Sequence, residues 1–144
     1  MNKADKAAEL FSQGVNCAQA VFSVYSDELK IDRETALKIA HGFGAGMGRL
    51  QEVCGAVTGA FMVLSFKHGS ISVNDTAVRE KIYDLVKEFA ARFKERNQTI
   101  ICKDLLGSDL INGDKAINAV KVKAICPKLV RDAVEILEEL NKDF

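Results

Sequence analysis

Apolar residues recur every three or four positions through most of this chain, a period that predicts helices. Lys3 to Gln13, with Ala7, Ala8 and Phe11 on one face, reads as a first helix closed by Gly14. Asn16 suits an N-cap, and Ala18, Val21, Phe22, Tyr25 and Leu29 stripe a second helix whose first residue is Cys17. Asp32 caps a third helix through Ala36, Ile39 and Ala40, ended by Gly42, Gly44, Gly46 and Gly48. The fourth, from about Glu52 to His68, is apolar nearly all round and so marks a central, buried helix. Asp75 opens a long amphipathic helix to about Arg96, striped by Val78, Ile82, Leu85, Val86, Phe89 and Phe93. Thr99 caps a short helical turn holding Cys102, Leu105 and Leu106, with Gly107 as its stop. From Ser108 to Ile125 the period fails: Asn112-Gly113 is a turn, and Val120 to Ala124 alternates as a strand does. Pro127 suits the first position of a last helix to about Leu140, with Cys126 just before it.

The pattern predicts an all-α fold: residues 1–144 as a single-domain helical bundle of about six helices around the apolar fourth one. A hydrophobic share of 48% is globular rather than disordered. Twenty Lys and Arg balance twenty Asp and Glu with no basic stripe, which argues against nucleic acid as a partner. The uncharged run Val53 to Phe66 is too short for a membrane span, and Met1 to Lys6 leads into an amphipathic segment without a signal-peptide core. A cytoplasmic location is therefore expected. There cysteines more often bind metal or cycle in redox chemistry than form permanent disulfides.

That expectation gives the four cysteines their weight. Cys17, Cys54, Cys102 and Cys126 all fall where the pattern starts a helix. A helix N-terminus carries positive partial charge, and a thiol placed there ionises more easily. No C-x-x-C pair is present, so neither a thioredoxin-type motif nor a zinc ribbon is read. Four such thiols predict a convergent centre with two chemistries open to it. They can ligate an iron–sulfur cluster or a zinc ion, or cycle between dithiol and disulfide. The loop of Gly44, Gly46, Gly48 and Arg49 is the candidate cofactor-binding element. Its glycines allow close backbone approach to a cofactor or to Cys54, and Arg49 adds positive charge. His41 and His68 read as structural.

The segments Asn16-Cys17-Ala18-Gln19-Ala20-Val21, Gly42 to Arg49, Glu52 to Ala60, Cys102 to Gly107, and Cys126 resemble the redox-active protein family labelled C-GCAxxG-C-C. The likeness runs from about residue 10 to residue 138 and supplies a counterpart for each of that family's cysteines. Cys54-Gly55-Ala56 stands where the label is written Gly-Cys-Ala. The resemblance implies a bacterial or archaeal protein whose cysteines have a redox role, and it supplies no substrate or proven cofactor.

The leading expectation is a redox-active protein that transfers thiol/disulfide equivalents or electrons, as an enzyme a thiol-dependent oxidoreductase. Its redox partner is unidentified. An iron–sulfur or zinc protein using the same cysteines is the first alternative. The second is a helical interaction module, with a homodimer sharing a core and the cysteines as packing residues. Gathered thiols favour the first two, and scattered thiols the last.

Overall fold

The computed structural model describes residues 1–143, and among these it holds eight helices and no sheet. They are α1 (Lys3–Ser12), α2 (Cys17–Ser23), α3 (Ser26–Leu29), α4 (Arg33–Ala40), α5 (Gly55–His68), α6 (Thr76–Asn97), α7 (Cys102–Leu106) and α8 (Lys115–Asp143). The expected starts are set by side chains that accept orphan N–H groups: Asn2, Asn16, Asp32 and Asp75 each bond the backbone N–H three residues on. At Asn16 the box is reciprocal, because the Gln19 side chain also accepts the Asn16 N–H at 2.9 Å.

Helix α5 is the buried centre, with Gly55 through Ala60, Val63 and Leu64 all inside. It packs on α2, α6 and α8, while α1 lies across α2 and α8. The α2–α5 approach is close enough that a Cβ at Gly59 would sit 2.8 Å from the Ala18 carbonyl oxygen. Phe61 meets Phe89 edge-on, with centroids 5.8 Å apart, and so joins α5 to α6. Helix α6 is tied to α8 by Arg96, which bonds Asp132 at 3.2 Å and Glu139 at 2.8 Å.

Several expectations are corrected. The second helix breaks after Ser23 and resumes briefly at Ser26. The fourth begins at Gly55 rather than near Glu52, because Glu52 to Cys54 runs extended and Val53 pairs antiparallel with Ile101. Thr99 does not cap α7; its hydroxyl accepts the Ile101 N–H at 3.0 Å and fixes the approach to the helix. Val120 to Ala124 is helical, not strand-like. Asp114, just past the Asn112-Gly113 turn, accepts the Ile117 N–H at 3.0 Å and starts α8 there. Pro127 consequently lies inside α8, where it forgoes the bond to the Lys123 carbonyl. Cys126 is therefore mid-helix.

The glycine-rich loop is a turn of the wrong hand. Ala45, Gly46, Met47, Gly48 and Arg49 all have positive φ, between 55° and 70°. A left-handed 2.9 Å bond from the Gly48 N–H to the Gly44 carbonyl closes it. Gln51 is left-handed too, at φ 58°. Each non-glycine member costs about 1–2 kcal/mol, so surrounding packing holds the loop in place.

A candidate redox centre of four thiols

Three separate local devices deliver the four cysteines to one place. Cys17 opens α2 behind the Asn16 cap, whose amide also donates to the His41 carbonyl at 2.8 Å. Cys54 and Cys102 flank the Val53–Ile101 pairing. The Cys54 N–H donates to the Ile100 carbonyl and the Cys102 N–H to the Glu52 carbonyl, each at 2.7 Å. This reciprocal pair of bonds aligns the start of α5 with the start of α7. Cys126 arrives from the inner face of α8.

All four cysteines are buried free thiols, and all four line one cavity of about 120 Å³. Its remaining wall is mostly hydrocarbon, from Phe11, Leu105, Leu106, Leu110, Val122 and Leu129. Gly46 belongs to the wall as well, and a Cβ there would stand 2.6 Å from the Cβ of Cys102. Gly44 instead packs against the Asn16 side chain. Gly48 and Arg49 lie outside the cavity, in a surface groove with Ile111 and Lys115. The expected cofactor-binding set thus divides: Gly46 faces the thiols, and the Arg49 charge does not.

Ionisation follows burial more than helix dipoles. Burial pushes the Cys54 thiol up to about 12, although the Ala56 and Val57 N–H groups bond its sulfur and oppose this. Cys102 is pushed up to about 11, by burial first and then by the neighbouring Cys126, against the Gln51 amide beside it. Cys17 is held well above the ordinary thiol value by its hydrogen bond to Cys126, then by burial. Cys126 alone is lowered, because the Cys17 S–H stabilises its thiolate. Helix starts were expected to favour thiolates. The three cysteines at helix starts are the three raised ones: desolvation outweighs a partial dipole charge at Cys54 and Cys102, and Cys126 together with desolvation does so at Cys17.

Among the described residues no group of three or more Cys, His, Asp or Glu side chains is placed to hold a metal ion. The expected metal set of Cys17, Cys54, Cys102 and Cys126 is gathered, but not as a closed ligand sphere. Cys17 and Cys126 act chiefly on each other's ionisation, while the N–H groups of Ala56 and Val57 favour the Cys54 thiolate. Gln51 was missed in the sequence. It is buried, donates its amide to the Ser108 carbonyl at 2.8 Å and accepts the Leu110 N–H at 2.9 Å, so it clamps the wall beside Cys102. No sequence signal marks a glutamine for a left-handed backbone.

A family model described as "Putative redox-active protein (C_GCAxxG_C_C)" matches residues 15–140, a span that holds all four cysteines. The chain belongs to this family. No curated protein and no solved structure matches it. Among the described residues, no helix is long and apolar enough to cross a membrane.

Proposed function

We propose that the protein is a redox protein in which Cys17 and Cys126 cycle between dithiol and disulfide, with Cys54 and Cys102 as the adjoining thiols of the same centre. The observation that carries this reading is the gathering of four free buried thiols around one cavity, within which Cys17 and Cys126 act most strongly on each other: Cys126 raises the Cys17 thiol, and the Cys17 S–H lowers Cys126. The thiolate is the attacking form. It displaces one RS⁻ from a reactant disulfide RS–SR and forms a mixed disulfide at Cys126. The Cys17 sulfur, having given its proton to that first RS⁻ to make RSH, displaces the second RS⁻ and closes the Cys17–Cys126 bond. Two electrons pass to the reactant, and a reductant dithiol reverses both steps.

The test is to oxidise the reduced protein mildly, count its thiols, and map the bond by mass spectrometry. The free thiols should fall from four to two, recover with dithiothreitol, and stay at full count in Cys126→Ser. A disulfide joining any other pair, or none at all, rejects the reading.

One observation favours a second reading. About 120 Å³ of unfilled space among four soft donors is large for a packed core and matches the ligand count of an iron–sulfur cluster. The four cysteines would be its ligands, and the cluster would supply one-electron transfer. Iron and sulfide found in stoichiometric amount after anaerobic purification would favour this reading over thiol exchange. The gathering of all four thiols speaks against the interaction-module alternative, which expects them scattered.

A further inference from the structure

The cavity around the thiols has a chemical character of its own. Apart from the cysteines, its wall is aliphatic and aromatic carbon plus the Asn16 side chain and backbone, and no charged side chain lines it. The charges nearest to the cysteines in sequence, Glu52, Lys103, Asp104 and Lys128, are all exposed at the surface. An ion entering such a space loses its hydration without gaining a counter-charge, whereas a small neutral molecule loses little. One part of the wall is also anchored from within. Gln51 commits both ends of its amide to the backbone of Ser108 and Leu110, and Leu110 is a half-buried part of the rim. Val122, which lines the cavity together with Leu110, sits on the first half of α8, where Asn118 is the one buried residue between 111 and 125. Few apolar contacts hold that stretch, so it opens more readily than the core does.

We infer that the apolar four-thiol cavity admits small, neutral, thiophilic reactants, such as uncharged low-molecular-weight disulfides, and that the Gln51 clamp on Ser108 and Leu110 helps to exclude charged ones. This rests on the redox reading above and adds the reactant class to it. The covalent step is the one already written, with RS–SR small and uncharged.

The experiment compares three methanethiosulfonates on the reduced chain: the neutral methyl reagent, the anionic sulfonatoethyl reagent and the cationic trimethylammonioethyl reagent. Each reaction forms a protein–S–S–R bond and releases methanesulfinate. Rates are read cysteine by cysteine and divided by the rate of the same reagent with free cysteine. The neutral reagent is expected to lead both charged ones by about tenfold or more, the factor given by 1.4 kcal/mol of desolvation. Gln51→Gly, which suits the left-handed backbone while deleting the amide, should cut that lead severalfold and leave the melting temperature largely unchanged. Equal normalised rates for all three reagents overturn the inference. So does native protein that none of them labels, when all four cysteines react after denaturation. Full discrimination retained in Gln51→Gly removes the clamp from it. If that variant fails to fold, the wild-type comparison decides alone. The oxidant-induced Cys17–Cys126 disulfide is scored separately, so either idea can fail without the other.

Discussion

Gly46 lies against Cys102 with no room between them for a methyl group: a Cβ at 46 would stand 2.6 Å from the Cβ of the cysteine, and φ there is +66°. Gly46→Ala meets a clash and a left-handed penalty together. It should cost about 2 kcal/mol or more, read as a lower urea midpoint at unchanged slope. A loss below about 0.5 kcal/mol, the scale of a neutral surface change, would mean that the loop yields freely.

The Asn16 side chain both caps α2 and donates to the His41 carbonyl. Asn16→Ala should therefore cost at least the ordinary cap value of about 1 kcal/mol, and Asn16→Ser should recover part of it. Chemical denaturation of the two variants beside the parent checks this. Equal losses in both would show that the His41 bond, not the cap, dominates.

The thiols make stability depend on alkaline pH. Folding raises Cys17, Cys54 and Cys102, so the folded state binds protons that the unfolded chain releases near 9.0. Stability from this source is complete below the unfolded value and is lost as pH rises toward the folded values, about 11 for Cys102 and about 12 for Cys54. The denaturation midpoint should fall between about pH 9 and 12, and Cys54→Ala should flatten that fall. An identical slope in parent and variant would remove Cys54 from the account.

Pro127 sits inside α8 without a backbone N–H to give the Lys123 carbonyl. Pro127→Ala restores that rung and should stabilise the protein by about 1–3 kcal/mol, in line with the cost of proline in a helix interior. A higher melting temperature is the expected readout. A lower one would show that the bend made by proline is needed to seat Cys126.

The elements legible in the sequence were those marked by a chemical sign. Asn16, Asp32 and Asp75 accept their N–H groups as read, and the apolar run after Cys54 is the buried centre. The first half of α8 was not legible. Residues 115–125 are mostly exposed, so no buried stripe overruled the alternation at Val120 to Ala124, and Cys126-Pro127 looked like a boundary. Packing of Leu129, Val130, Ala133 and Leu137 into the core carries the helix through the proline. The candidate centre was legible as four residues but not as a chamber. Its wall comes from Phe11, Leu110 and Val122, residues that no motif marks. The left-handed run from Ala45 to Arg49 could be anticipated at its glycines but not at Ala45, Met47 or Gln51.

The Val53–Ile101 pairing also divides the centre mechanically. Cys54 and Cys102 share one stiff frame, locked at 2.7 Å on either side of the bridge. Cys17 and Cys126 ride on two separate helices, α2 and α8, and α1 packs across both. Were the proposed Cys17–Cys126 bond to close, its pull would fall on α2 and α8 and not on the frame. Helix α1, which spans both and turns its outer face to solvent, would be the element to register it. A change of two electrons in the interior would then be legible from outside as a change of shape.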